Sequence, residues 1–137
     1  MPQLDDDKDA AGRIKLLIVD DEAGYVSVLA KRMARRGIDV TAALSGSQGI
    51  QILRRGSYDV TVLDLKMEDM DGIEVLKIFK KMDPDMPVIM LTGHGSETAA
   101  REGLAYGAYD YLTKPCDLEM LIAKIRDAAR RVPPQHV

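Results

Sequence analysis

The strongest constraint on the fold is an alternation in which a short apolar run is followed by a segment of helical periodicity. The apolar runs occupy residues 14–19, 38–43, 60–64, 88–92 and 109–113. Each has the length of a buried strand, and the third ends abruptly in the carboxylate of Asp64. Parallel strands need crossover connections, which helices usually provide. The alternation therefore predicts a parallel sheet with helices on both faces.

Local signals for the starts and ends of helices agree with this alternation. Ser45 and Gln48 have the spacing of a capping box, and Asp71 and Asp117 are placed to cap two later helices. Gly107 follows another segment of helical periodicity, at a position where glycine commonly ends a helix. The sequence therefore predicts a helix after every strand.

Composition limits the class of protein. A chain of 137 residues suits one domain, and its 46% hydrophobic and 30% charged residues are ordinary for a globular protein. The formal net charge of -3 argues against a nucleic-acid-binding surface. Cys116 is the single cysteine, which excludes an internal disulfide bond.

The two ends of the chain are expected to lie outside the domain. Residues 1–12 are acidic and lack the apolar core of a signal peptide, so we expect a disordered lead-in and a cytoplasmic protein. No apolar run approaches the ~18 residues of a membrane span. Pro133 and Pro134 follow the last helical pattern, so residues 13–131 are the predicted domain and 132–137 a tail or the start of a linker.

Polar side chains lie at the edge where the strands of the predicted sheet end. Asp20 and Asp21 come after the first run, and Lys114 follows the fifth. Asp64 and Thr92 end the third and fourth runs. Because the carboxyl ends of parallel strands share one edge, the sequence predicts three acids, a hydroxyl and an ammonium close together.

This set of groups suits phosphoryl transfer. Three neighbouring carboxylates repel one another and favour a shared cation. Mg2+ fits, because it takes oxygen ligands and is commonly held by one or two carboxylates plus a phosphate oxygen. A carboxylate can also attack phosphorus and form an acyl phosphate, and the reaction needs mainly positioning and charge neutralisation. Asp64 is the predicted working residue.

Plainer interpretations compete at each position taken alone. An Asp-Asp pair after a strand is more often a helix cap than a metal site. Lys114 could be an exposed lysine before a proline, and Thr92 could fill a turn. The register of Asp64 and Lys114 with the acid pair favours the metal interpretation. Cys116 is best explained as a buried small hydrophobe.

Four motifs at the predicted strand ends resemble, in order, those of the receiver domains of bacterial two-component response regulators. The resemblance covers roughly residues 13–131. It implies a flavodoxin-like α/β fold, with a doubly wound five-stranded parallel sheet of order 2-1-3-4-5 and five helices in three α/β/α layers. The motifs are Val19-Asp20-Asp21-Glu22, Asp64-Leu65-Lys66-Met67 with Met70-Asp71-Gly72, Leu91-Thr92-Gly93, and Asp110-Tyr111-Leu112-Thr113-Lys114-Pro115.

The resemblance also implies roles for the acids. Asp64 would be the phosphoacceptor and one of the groups around Mg2+. Asp21 would bind the ion directly and Asp20 through water. The backbone carbonyl of Lys66 would complete the protein ligands.

The same resemblance implies a phosphorylation-dependent signalling switch in a two-component system rather than an enzyme. Thr92 and Lys114 would contact the phosphoryl oxygens, and Tyr111 would be the switch residue that turns inward when Thr92 moves. The only chemistry expected of the chain itself is Mg2+-dependent self-phosphotransfer and autodephosphorylation.

The partners implied by the resemblance begin with the phosphoryl donor, a sensor histidine kinase or a histidine phosphotransfer protein. Phosphorylation would switch the face at about residues 96–106, 109–113 and 117–131 to control a partner or an attached output domain. A homodimer on phosphorylation is left open, and neither direct nucleic-acid binding by this domain nor membrane binding is expected. Two positions depart from the family pattern: Glu68 stands where proline is common, and Cys116 where an aromatic is common.

Two interpretations from other classes remain open. A hydrolase of the haloacid-dehalogenase type also forms an aspartyl phosphate, but it carries a second acid two residues after the nucleophile, where this chain has Lys66. A scaffold of the same fold would bind a partner without being phosphorylated. A nucleotide-binding protein is disfavoured, because no Gly-x-Gly-x-x-Gly or Gly-Lys-Ser/Thr loop follows a strand.

Overall fold

The computed structural model describes residues 12–93 and 97–134, and within these ranges strands alternate with helices. The strands are β1 (Ile14–Val19), β2 (Ile38–Ala43), β3 (Val60–Asp64), β4 (Val88–Thr92) and β5 (Asp110–Thr113). The helices are α1 (Ala23–Ala34), α2 (Gly46–Arg55), α3 (Gly72–Met82), α4 (Glu97–Ala105) and α5 (Leu118–Ala129). The predicted alternation is confirmed, with the fifth strand starting one residue later than expected.

The ends of the chain were predicted to lie outside the domain. The expected lead-in, apart from Gly12, and residues 135–137 of the expected tail lie outside the described residues. The predicted boundaries at 13 and 131 therefore stay predictions. Among the described helices, none combines the length and the apolar character needed to cross a membrane.

The five strands form one parallel sheet in the order β2-β1-β3-β4-β5. Every residue of β3 and β4 is buried. Burial on both faces is typical of a parallel sheet that is covered by helices on each side. The predicted flavodoxin-like fold and its strand order are confirmed.

Alternate strand residues pack on opposite faces of the sheet and make two core layers. Leu16 and Ile18 of β1 face the layer that holds the apolar sides of α1 and α5. Leu17 and Val19 face the other layer, which includes buried residues of α2 and α3 and half-buried residues of α4. With helices packed on both faces, the carboxyl ends of the strands are fixed relative to one another.

The starts of the helices show which predicted caps form. Ser45 Oγ accepts a hydrogen bond from the N–H of Gln48 at 3.0 Å. Gln48 Oε1 accepts from the N–H of Leu44 at 2.6 Å, one residue earlier than an ideal capping box requires. Asp71 and Asp117 cap α3 and α5, as predicted. The loops that leave β2, β3 and β5 are therefore anchored where they enter the next helix.

Candidate functional site

The register of the sheet brings the predicted acids together. Val19 of β1 lies opposite Leu63 of β3. The next residues along these two strands, Asp20 and Asp64, are therefore neighbours. Lys114 follows β5 at the same edge, and its ammonium reaches both carboxylates, at 2.9 Å from Asp20 and 3.5 Å from Asp64. The convergence expected from the strand ends is found in the structure.

Three acids form the centre of the site. Asp20, Asp21 and Asp64 each offer one carboxylate oxygen, and these oxygens lie within 4.8 Å of one another. Asp20 is 0% exposed and Asp64 only 5% exposed. Buried carboxylates this close together need positive charge beside them, and their oxygens match the preference of Mg2+ for hard ligands.

The acid pair does not cap the following helix. The N-cap residue of α1 is Glu22, and no side chain accepts a hydrogen bond there as a cap. Asp20 Oδ1 accepts from the N–H of Glu22 at 2.9 Å, which tightens the turn between β1 and α1. Asp21 Oδ2 accepts from the N–H of Glu68 at 3.2 Å, in the loop that follows β3. Both carboxylates are therefore held at the sheet edge.

Lys114 supplies the positive charge next to the acids. Its ammonium makes its shortest contact with Glu22, at 2.7 Å, and also lies 4.7 Å from the centre of the Tyr25 ring. Burial alone would lower the pKa of Lys114, but hydrogen bonds to Glu22 and Asp20 and the charge of Asp64 raise it above its usual value. The side chain therefore stays an ammonium. In turn, the hydrogen bond from Lys114 lowers the pKa of Glu22.

Asp64 has a carboxylate whose charge is poorly compensated. Burial raises its pKa, and the nearby charge of Asp20 acts in the same direction. The N–H of Lys66, which donates to Asp64 Oδ1 at 3.1 Å, and the charge of Lys114 oppose the shift without cancelling it. An additional cation at this position would therefore stabilise the ionised form.

Thr92 ends β4 and Tyr111 lies within β5, and among the described residues neither makes a hydrogen bond to the three acids. Thr92 is buried, and its hydroxyl donates to the carbonyl of Leu112 in a long bond of 3.5 Å. The backbone carbonyl of Thr92 accepts from the N–H of Lys114 at 2.7 Å, which fixes the start of the loop after β5. Tyr111 is half-buried against the core layer shared by α2, α3 and α4.

Sequence reasoning assigned no role to Glu22, Tyr25 or the backbone of Glu68. Glu22 belongs to the first motif and directly follows the Asp20-Asp21 pair. An acid at that position was the sequence signal that Lys114 has a further partner. Tyr25 lies on the partly buried side of α1, where spacing alone indicates core packing.

The hollow above the acids has a volume of about 380 Å³ and is lined by Asp21, Glu22, Asp64, Lys66, Glu68, Gly93 and Lys114.

Comparison with known proteins decides the family. A family model for the response regulator receiver domain matches residues 16–126. The chain belongs to this family. The receiver domain is therefore that of a response regulator in a two-component system, as the motifs predicted. Receiver domains bind Mg2+ at a cluster of acidic residues, and Asp20, Asp21 and Asp64 form such a cluster here.

Curated relatives extend well beyond this receiver domain. It is 39% identical over 119 residues to the transcriptional regulatory protein GlrR of Escherichia coli, a match that covers 87% of the chain and 27% of GlrR. It is 38% identical over 116 residues to the uncharacterized transcriptional regulatory protein YkoG of Bacillus subtilis, covering 85% of the chain and 51% of YkoG. The chain thus spans only a part of the length of these relatives.

Solved structures of receiver domains share the fold of this one. The receiver domain of the Francisella response regulator 1452 superposes with a TM-score of 0.81 at 34% identity, covering 87% of this chain and 98% of the other. A response regulator receiver domain protein from Clostridium thermocellum gives a TM-score of 0.82 at 34% identity, covering 86% and 95%.

Proposed function

We propose that Asp64 accepts a phosphoryl group from a phosphohistidine of a sensor histidine kinase or of a histidine phosphotransfer protein. The observation that supports this role is the position of its carboxylate, which is buried at the sheet edge beside two further acids and 3.5 Å from the Lys114 ammonium. The domain would then act as a signalling switch, and its own chemistry would be limited to self-phosphotransfer and autodephosphorylation.

In the proposed transfer, a carboxylate oxygen of Asp64 attacks the phosphorus atom of the donor. A P–O bond forms while the P–N bond to the histidine breaks, and the imidazole leaves with the electron pair and takes up a proton. The N–H of Lys66 orients Oδ1 of Asp64 at 3.1 Å. Lys114 lies nearest Oδ2, where its charge can stabilise the transferred group.

The proposed Mg2+ site consists of Asp20, Asp21 and Asp64 together with the backbone carbonyl of Lys66. Asp21 would bind the ion directly and Asp20 through water. The carboxylate oxygens of the three acids lie within 4.8 Å of one another, and the Lys114 ammonium pairs with two of them, Asp20 and Asp64. Bound Mg2+ supplies neutralisation of the charge on the phosphoryl oxygens.

Thr92 and Tyr111 are the proposed switch residues. The hydroxyl of Thr92 has a long bond to Leu112, so exchanging this bond for one to a phosphoryl oxygen costs little. Movement of Thr92 would change the packing around the half-buried Tyr111 on the neighbouring strand. The surface that responds would be the one built from α4, β5 and α5, because β5 carries Tyr111.

The proposed readers of this surface are an output domain, attached or separate, and a second copy of the receiver domain. The relatives named as transcriptional regulators are longer than the matched region, which supports an attached output domain. Contact with nucleic acid is assigned to that output domain, since this chain has a formal net charge of -3. Sizing chromatography with and without beryllofluoride, which mimics the phosphoryl group, tests for the dimer.

Phosphorylation is tested by intact-mass measurement after incubation with acetyl phosphate and Mg2+. We expect the chain to gain one phosphoryl group and Asp64→Asn to gain none. Asp59→Asn is the matched control, because Asp59 stands just before the opposite end of β3 and its carboxylate accepts from the N–H of Lys15. This control should be labelled like the unaltered chain. Equal labelling of Asp64→Asn would overturn the assignment.

The same preparation separates the two rival functions. Rapid multiple turnover of a phosphomonoester would support a hydrolase, although Lys66 occupies the place of the second acid that such hydrolases use. A chain that neither binds Mg2+ nor accepts a phosphoryl group would be a scaffold. The acids around Asp64 favour the phosphoacceptor, because a scaffold has no need for carboxylates buried this close together.

A further inference from the structure

Asp69 connects the loop after β3 to the first turn of α2. One oxygen of its carboxylate accepts from the N–H of Gly46 at 3.0 Å. The other accepts from the N–H of Ser47 at 3.1 Å and from the Ser47 hydroxyl at 3.0 Å. These bonds lower the pKa of Asp69, although its side chain is exposed. A single carboxylate thus joins two segments that are 23 residues apart in sequence.

The helix has a cap of its own besides this carboxylate. Ser45 Oγ accepts from the N–H of Gln48, and its carbonyl accepts from the N–H of Gly49 at 3.0 Å. Capping by a local serine is the usual way in which a helix satisfies its first N–H groups. The contact from Asp69 therefore does more than satisfy α2, because it also ties a distant loop to the helix.

The tethered loop carries two of the backbone groups that touch the acids of the site. The N–H of Lys66 donates to Asp64, and the N–H of Glu68 donates to Asp21 at 3.2 Å. Glu68 is the immediate neighbour of Asp69 in the chain. An antiparallel bridge between Lys66 and Asp71 joins the two ends of the loop. Between these two ends, the side chain of Asp69 adds hydrogen bonds that tie the stretch around Glu68 to α2.

The start of α2 also packs closely against this loop and against α3. Gly46, the first residue of α2, is buried, and a Cβ added to it would lie 2.8 Å from Val75 and 3.2 Å from Met70. The start of α2, the loop and α3 are thus in close contact. A loop fixed to α2 by Asp69 has little freedom to move away from the acids.

We propose that Asp69 is a positioning residue for the phosphorylation site: it holds the loop after β3 on α2 and so places the N–H of Glu68 against Asp21. The inference rests on the proposed function, because Asp21 is a proposed Mg2+ ligand. Removing a group that orients a metal ligand commonly weakens metal binding by about ten-fold or more. Asp69→Ala should therefore bind Mg2+ roughly ten-fold more weakly.

Calorimetric titration with Mg2+ and hydrogen exchange of the metal-free chain test this inference together. Asp69→Ala should weaken Mg2+ binding and speed exchange of the Glu68 amide. Asp69→Asn should lie between it and the unaltered chain, since its amide keeps one acceptor oxygen. Ser45→Ala is the matched control, because it weakens the same helix start without releasing the loop. It should leave both the Mg2+ affinity and the exchange of Glu68 unchanged.

The outcomes separate the two proposals. If the unaltered chain binds no Mg2+, the proposed metal site is wrong, while faster exchange of Glu68 in Asp69→Ala still supports the loop contact. If Mg2+ binds normally and Asp69→Ala matches the unaltered chain in affinity and exchange, the positioning role is overturned. Equal effects of Asp69→Ala and Ser45→Ala would also overturn it, since α2 stability would then explain both.

Discussion

Gly72 lies so close to Leu65 that no side chain fits between them. A Cβ on Gly72 would be 2.5 Å from the Cα of Leu65 and 2.8 Å from its carbonyl oxygen. Leu65 directly follows Asp64, and Gly72 begins α3. The loop between them folds back on the end of β3, and this close approach of backbone to backbone is the reason that glycine is required after Asp71.

Gly72→Ala should therefore destabilise the domain by about 1–3 kcal/mol or more, because the atoms in the way belong to the backbone and cannot rotate aside. Urea unfolding followed by circular dichroism measures the change. Gly24→Ala is the control, since a Cβ on Gly24 in α1 meets nothing within 4 Å. It should be neutral or stabilise by up to about 1 kcal/mol. Equal stability of the two variants would contradict the explanation.

Asp64→Asn should stabilise the fold at neutral pH while removing the proposed phosphoacceptor. Burial raises the pKa of Asp64, so the ionised carboxylate costs free energy in the folded state. The gain in the free energy of unfolding should be absent at pH values below 3.8, the ordinary pKa of an aspartate, because Asp64 is then protonated in both the folded and the unfolded chain. It should appear as the pH rises from there through the raised pKa of the folded state.

Thermal unfolding of both chains in metal-free buffer, at low and neutral pH, checks this dependence. Asp59→Asn is the control at the other end of β3. Its carboxylate is exposed and accepts from the N–H of Lys15 at 2.8 Å, so neutralising it should bring no gain. A gain for Asp64→Asn that is the same at both pH values would point to a cause other than the buried charge.

The sheet and the meeting of its edge residues could be predicted because both depend on backbone pattern alone. Alternating apolar runs and helical segments indicate a parallel sheet, and in such a sheet all strand ends share an edge. Asp20, Asp64 and Lys114 therefore share one edge of the sheet, and the long side chain of Lys114 reaches the two carboxylates. The switch roles of Thr92 and Tyr111 do not follow from the backbone pattern. They came from the resemblance to receiver domains, and they stay predictions.

The contacts that sequence reasoning missed depend on loop paths and side-chain directions. Glu22 contacts Lys114 because the turn after β1 points its carboxylate toward the end of β5. Asp69 reaches α2 because the loop after β3 folds back, which periodicity does not encode. The pairing of Asp110 with Lys124 likewise joins two elements whose separate patterns show only a strand start and a helix face.

Lys124→Met should cost about 1.5–3 kcal/mol of folding free energy, since it removes a charged hydrogen bond from a buried carboxylate. Lys124 lies 2.6 Å from Asp110, whose side chain is 4% exposed. Methionine keeps the apolar stem of the lysine, and Asp110 keeps the bond from the N–H of Tyr111. The measured loss of folding free energy therefore gives the contribution of the Lys124 ammonium.

Arg130→Met is the matched control for this measurement. Arg130 pairs with Asp127 at 3.0 Å, and both side chains are exposed. Exposed ion pairs contribute about 0–1 kcal/mol, so the control should change stability little. Urea unfolding of the two variants at the same ionic strength compares them directly. A cost for Lys124→Met no larger than that of the control would mean that the buried pair adds nothing.

Lys114→Met should make the fold more dependent on Mg2+. Without its ammonium, the buried carboxylates of Asp20 and Asp64 lose a shared partner, and the metal-free domain should lose about 1.5–3 kcal/mol. A divalent cation bound by the same acids would replace the missing charge. The rise in Tm on adding Mg2+ should therefore be larger for Lys114→Met than for the unaltered chain.

Lys66→Met separates a specific loss from a general loss of positive charge at the hollow. Lys66 lines the same hollow, and within the described part of the chain its side chain makes no ion pair. Its removal should leave the Tm of the metal-free domain nearly unchanged, and the rise on adding Mg2+ should match that of the unaltered chain. If Mg2+ raised the Tm of Lys66→Met and of Lys114→Met by the same amount, the total positive charge at the sheet edge would govern the effect of Mg2+ on stability. A larger response confined to Lys114→Met would instead show that the ammonium and the cation neutralise the same carboxylates.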